Sequence, residues 1–197
     1  MDVYTTEEQQ VEAIKKWWRD NGKAVVIGAV VGLGALYGWR YFQSQQLENK
    51  EQASQQYEQA LSTIERGDTV ALSQLEDHDG YRALAALQLA QKQVEQGELE
   101  SAREQLQIAK QSVKDEALYG LVVTRLARVE AELGDYEAAL NELDNITASS
   151  WTAKVQEIRG DILLRQGDSD AARDAYAASL AAADSPTVNM KLDNLSL

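Results

Sequence analysis

Asp77-His78-Asp79 sets the chain's single histidine between two carboxylates, a grouping that could hold a divalent metal or pass a proton. Metal binding needs three or four converging ligands, and acid-base catalysis needs a pocket. Three consecutive residues between helical patterns offer neither, so a solvated turn is the expectation. The chain has no cysteine, which removes disulfides, thiol nucleophiles and thiolate metal ligands and agrees with an oxidising compartment such as a bacterial periplasm. Asp and Glu pairs abound, as they do on the helix surfaces of any acidic domain. No phosphate-cradling glycine loop, nucleophile elbow or metal-ligand cluster occurs. The chain is therefore expected to be no enzyme, with no catalytic residue, no metal and no cofactor. Asn145-Ile146-Thr147 spells a glycosylation sequon and Arg159-Gly160-Asp161 an adhesion tripeptide, and both read as accidents of helical sequence.

What remains is the chemistry of recognition, and helices must carry it. With one proline, Pro186, and abundant Ala, Leu, Glu and Gln, the chain is expected to be all-α. Ala24 to Trp39 is a run of sixteen uncharged residues. Such a segment crosses a bilayer as a helix because hydrocarbon cannot hydrogen-bond to an open backbone. Trp17 and Trp18 on one side, and Trp39, Tyr41 and Phe42 on the other, stand roughly 31 Å apart along a helix, the spacing of two interfacial aromatic belts. Lys15, Lys16, Arg19 and Lys23 precede the span, while only Arg40 and Lys50 follow it closely. The positive-inside rule then places the N-terminus in the cytoplasm and exports everything after Phe42. A cleaved signal peptide is the alternative, but 23 residues is long for its charged region and no small-x-small pair follows Gly38. A buried core helix fits less well, because four glycines would each weaken it by about 1 kcal/mol.

Charge divides at the same place. The first 42 residues carry five cations and five anions, whereas the remaining 155 carry 14 and 27, so the whole net charge of −13 belongs to the exported part. That surface repels nucleic acid and anionic headgroups, so no nucleic-acid partner is expected.

Glycine punctuates the exported part. Gly67-Asp68, Gly97-Glu98, Gly134-Asp135 and Gly167-Asp168 recur at intervals of 30, 37 and 33 residues. For the last three, a small residue lies seven before the glycine (Ala90, Ala127, Gly160) and an alanine five after it (Ala102, Ala139, Ala172). A larger residue follows four later (Leu106, Leu143, Tyr176). The glycine would end one helix in the left-handed region, the acid could cap the next, and the small residues would let two antiparallel helices approach. This pattern resembles the tetratricopeptide repeat, with departures: its Trp position holds Ala86, Val123 and Gln156. Its mid-helix Tyr position holds Gln93, Glu130 and Leu163, and its Pro position Lys114, Trp151 and Asp184.

Ala53, Tyr57, Ala60 and Leu61 copy the spacing of a second repeat helix, and the polar stretch from Gln43 to Gln56 either prolongs the membrane helix or forms a stalk. Beyond Ser185-Pro186, alternation of Val188, Met190 and Leu192 predicts an extended tail packed on the last repeat. The expected layout is a cytoplasmic tail (1–23), a transmembrane helix (24–42), a juxtamembrane helix with a degenerate first repeat (43–80), three divergent repeats (81–184) and a C-terminal tail (185–197). Its architecture is one transmembrane helix followed by a solenoid of helical hairpins.

Stacked hairpins present a face of first helices that binds partner segments without catalysis. Gln91, Thr124, Arg128, Glu132, Glu157, Asp161 and Arg165 are expected on that face, which could equally be a solvated surface. Its few cations argue against the Lys/Asn carboxylate clamp of one repeat subtype. In the span, Gly28/Gly32 and Gly34/Gly38 form two GxxxG patterns, which let membrane helices pack closely against a partner's helix or a second copy.

Taken together, the single anchor, the Ile14-Lys15-Lys16-Trp17-Trp18 flank after an acidic, Gln-containing tail, the Gly-rich span and the Tyr57-Glu58-Gln59-Ala60-Leu61 entry to the repeats resemble a bacterial inner-membrane family over the full length. That family is the YfgM-like ancillary SecYEG translocon subunits. The resemblance implies a protein beside the SecYEG channel in the cell inner membrane, associated with the periplasmic chaperone PpiD, that helps translocated proteins reach folding factors. A membrane tether for a cytoplasmic stress-response regulator, using the acidic segment from Met1 to Gln10, is the alternative and is compatible with the first.

Overall fold

The computed structural model describes residues 7–64, 75 and 78–195, all of whose regular structure is helical. Residues 1–6, Gly67-Asp68 and Asp77 lie outside the described residues, and with them much of the acidic N-terminal segment and one acid of the Asp77-His78-Asp79 grouping. Two compact units are present, Met1–Gln52 and Ala53–Leu197.

Helix α1 spans Glu7–Ile64, and residues 43–56 are helical throughout. It is the one described helix long and apolar enough to cross a membrane. In the first unit its apolar side chains are exposed, among them Ile27, Val30, Val31, Leu33 and Leu36. A Cβ added at Gly28, Gly32, Gly34 or Gly38 would meet nothing within 4 Å. Lys15, Lys16, Arg19 and Lys23 are exposed on the same helix.

The second unit begins with the end of α1. Ala53, Ala60 and Ile64 are buried there, and Tyr57 packs on Tyr81 with ring centroids 5.3 Å apart. Six helices follow as three hairpins: α2 (Asp79–Glu95) with α3 (Leu99–Ser112), α4 (Glu116–Glu132) with α5 (Tyr136–Asp144), and α6 (Thr152–Gln166) with α7 (Ser169–Ala182). All three hairpins turn by the same device. Gly97, Gly134 and Gly167 have φ of 78°, 84° and 93°, the left-handed conformation that a Cβ disfavours. The following amide reaches back to a carbonyl five residues earlier, Glu98 to Gln93, Asp135 to Glu130 and Asp168 to Leu163, at 2.8–2.9 Å. That bond defines a Schellman stop. Capping by the acid is less regular. The Asp168 side chain accepts from the Ala171 amide, whereas Glu98 and Asp135 make no such bond.

The phased small and large residues form the seams between helices. Ala90, Ala127, Ala102, Ala139 and Ala172 are buried, as are Leu106, Leu143 and Tyr176. Gly160 is tightly packed: a Cβ there would lie 2.5 Å from Tyr176 Cε1. A second close approach involves Trp151, at the Pro position of the repeat, and Gly120. α5 has nine residues against seventeen in α4, roughly 14 Å against roughly 26 Å of helix, so its hairpin partner covers about half of α4. Trp151, at the end of a 3-10 turn over Ser149–Trp151, fills the remainder by laying its indole on Gly120.

The C-terminal segment corrects the expectation of an extended tail. Pro186–Asn194 is a helix, α8, with the Ser185 hydroxyl accepting from the Val188 amide and proline in the first turn. Ser followed by Pro is a helix-start signal. The apolar residues that looked alternating include the 188, 192, 195 series of one helix face. Val188 is buried and packs with Leu192 and Leu195 beside Tyr176, while Met190 is 60% exposed.

Candidate functional site

First helices α2, α4 and α6 carry all seven residues expected on a binding face, and the structure divides them into three groups and one outlier. Gln91 and Arg128 line one cleft of about 400 Å³ between α2 and α4. Its floor is apolar, with Leu87, Ala90, Leu106 and Val129, and Val94 stands at its edge 43% exposed. Gln91 donates to the Glu95 carboxylate at 3.0 Å. Arg125 also lines this cleft and is absent from the residues expected there. Its signal is present in the sequence, since a cation three residues before Arg128 on a helix lies on the same side.

Glu132 and Arg165 form an ion pair that bridges α4 and α6. The bond from Arg165 holds the Glu132 carboxyl below its usual range. Glu157 and Asp161 make up the third group, and α8 covers them. Lys191 Nζ lies 2.9 Å from Glu157 and 2.7 Å from Asp161, while Tyr176 Oη donates to Asp161 at 2.8 Å. Burial pushes the Glu157 carboxyl up, but hydrogen bonds from Lys154 and Lys191 outweigh it and leave the pKa lowered. Burial, then the bond to Asp161, raises the Tyr176 hydroxyl. Thr124 stands apart: it is 5% exposed and its hydroxyl donates to the Leu121 carbonyl at 3.0 Å. The sequence alone does not show Glu157 and Asp161 covered, because the segment bearing Lys191 reads there as extended.

One buried acid lies outside this face. Glu130 occupies the mid-helix aromatic position of the repeat and is 4% exposed, and its Oε2 has no hydrogen-bond partner. Burial raises its pKa to about 7, with Glu142 and Asp135 adding to the rise and Arg103 and Lys110 opposing it. Glu142 is itself held by Lys110 at 2.6 Å. None of these groups makes a metal site, and the described residues contain no cluster of three or more ligating side chains. Asp79 pairs instead with Lys114 at 2.7 Å.

Residues 15–197 match the tetratricopeptide repeat-like domain family. The chain is similar to the ancillary SecYEG translocon subunit of Escherichia coli (strain K12), 39% identical over the full length of both. It is also similar to the subunit of that name from Haemophilus influenzae, 30% identical over 96% of this chain and 97% of that one. Likeness to the solved structure "MamA MSR-1 C2", with TM-score 0.50 and 21% identity over 73% of this chain and 84% of that one, shows a shared fold. An apolar helix able to span the bilayer once, three hairpins with phased small residues, and end-to-end similarity to these relatives lead to one assignment: the chain belongs to the family of ancillary SecYEG translocon subunits.

Proposed function

We propose that the chain is a non-catalytic accessory subunit of the Sec translocon that links exported proteins to periplasmic chaperones, PpiD among them, through protein contacts of its repeats. The full-length similarity to a translocon subunit carries this reading. A single-pass anchor in the inner membrane, with Lys15, Lys16, Arg19 and Lys23 holding the N-terminus in the cytoplasm, puts the acidic repeats in the periplasm. There the tether raises their concentration beside the channel without any further contact. The open glycines of α1 supply a second contact, on two sides of the helix, through which Gly28 and Gly32, or Gly34 and Gly38, pack on a translocon or chaperone membrane helix, or on a second copy.

Purification of the full chain in mild detergent, followed by mass spectrometry, is the test. Channel subunits and a periplasmic chaperone are expected in the eluate. Recovery of neither would overturn the reading. Photocrosslinkers at positions 28 and 32 are expected to label a protein partner, and labelling of lipid alone would remove the helix-packing role.

A further inference from the structure

We propose that the cleft between α2 and α4 receives an acidic, aliphatic segment of a partner polypeptide, with a side-chain carboxylate held by Arg125 and Arg128. This rests on the reading of the repeats as a protein-binding scaffold and specifies the chemistry of the segment bound.

Charge pattern is the first support. The repeats sit in the part of the chain that holds the whole acid excess, and most of their arginines are neutralised by neighbours. Arg103 pairs with Glu100 and Asp135, Arg159 with Asp144, Arg165 with Glu132, and Arg173 with Asp170. Arg125 and Arg128 make no ion pair among the described residues, and both are exposed. Three residues apart on one helix, their side chains lie on the same side. A guanidinium fork matches a carboxylate geometrically, so two of them side by side select an acid over a neutral amide.

The floor supplies the other half of the recognition. Leu87, Leu106 and Val129 are buried beneath the opening while Val94 is left 43% exposed, so an aliphatic side chain entering the cleft would cover apolar surface that now meets water. On the opposite wall Glu95 repels a carboxylate and directs it to α4. The cations therefore come from one helix only. A terminal carboxylate clamped from both walls would meet Glu95, and for that reason the bound group is a side chain within a segment.

The experiment uses the full chain in mild detergent and a fluorescent octapeptide of alternating Leu and Asp, acetylated and amidated at its ends. Three relatives of that peptide accompany it: Lys for Asp, Ser for Leu, and Ser for Asp with a free carboxyl terminus. The Leu/Asp peptide is expected to bind at least about tenfold more tightly than each of the three, as loss of a charge-assisted contact or of apolar cover implies. Arg125→Glu/Arg128→Glu is expected to weaken it by about tenfold or more, and Glu95→Gln to strengthen it. Arg125→Gln/Arg128→Gln must also weaken binding, which keeps the test open if the charge reversal misfolds. Equal affinity for the Lys and Asp peptides, or unchanged binding to the neutral double variant, overturns the proposal. So does equal affinity for the peptide with the free terminus. If the pull-down recovers channel subunits and the Leu/Asp peptide does not bind, the cleft assignment fails alone. Peptide binding with an empty pull-down removes the translocon reading alone.

Discussion

Replacing Glu130 with glutamine is expected to stabilise the repeats, and only above mildly acidic pH. In the folded chain the Glu130 carboxyl is buried and keeps its proton to about pH 7. The unfolded chain releases that proton near the ordinary glutamate value of about 4.5. Between those values the folded state binds more protons than the unfolded one, so stability declines as pH rises through the window and stays reduced above it. Every tenfold difference in proton affinity between the two states is worth about 1.4 kcal/mol, which puts the full penalty at about 2–3 kcal/mol once local adjustment by Arg103 and Lys110 is allowed for. Glutamine has the same shape and no charge. The variant should match the wild type near pH 4.5, gain progressively to pH 7, and hold about 2–3 kcal/mol of advantage at pH 8. Urea unfolding of the full chain in detergent, followed by circular dichroism at several pH values, measures this. The difference between the two proteins isolates Glu130 from every carboxylate they share. A difference that is flat from pH 4.5 to 8, or a variant less stable at pH 8, would refute the reasoning.

Three further outcomes follow from the packing. Gly160→Ala and Gly120→Ala should each lower stability by about 1–3 kcal/mol, since a methyl group would collide with Tyr176 or Trp151. Gly80→Ala, where a Cβ meets nothing within 4 Å, should instead gain up to about 1 kcal/mol, and thermal melts of all three variants measure both effects. Lys191→Met should cost about 1–2 kcal/mol at pH 7 by leaving Glu157 and Asp161 short of a partner. Because the folded pKa of Glu157 is lowered, its contribution is present above the ordinary glutamate value and is lost as pH falls through the folded one, so this cost should shrink on acidification. Asp168→Ala should lose about 1 kcal/mol, as a helix cap does, and Asp135→Ala, which breaks no cap bond, should lose less in chemical denaturation.

The parts legible in the sequence are those written in strictly local chemistry. Glycine beside an acid specifies where a helix stops, and small residues at fixed phase specify where two helices touch, so the three hairpins and their seams can be read directly. The contact of Gly120 with Trp151 is invisible there because the two lie far apart in the chain and Trp151 stands where the repeat pattern has Pro, and the shortness of α5 leaves them room to meet. The C-terminal helix is hidden for a different reason: 188, 190 and 192 satisfy a strand period while 188, 192 and 195 satisfy a helical one, and the Ser185-Pro186 start signal decides between them. The consequence reaches the binding face, where Lys191 occupies two of the acids expected to be free. Arg125 escapes a reading by repeat phase, although its spacing of three from Arg128 is visible in the sequence; only its lack of an ion pair needs the folded chain.

The indole on Gly120 also gives the protein a private optical signal. Trp17, Trp18 and Trp39 all lie in α1, so Trp151 is the single indole in the second unit. Conversion of the other three to phenylalanine would leave one indole, seated on the seam between the second and third hairpins. Its emission wavelength would then follow the opening or closing of that seam in a detergent micelle or a vesicle, without any added dye.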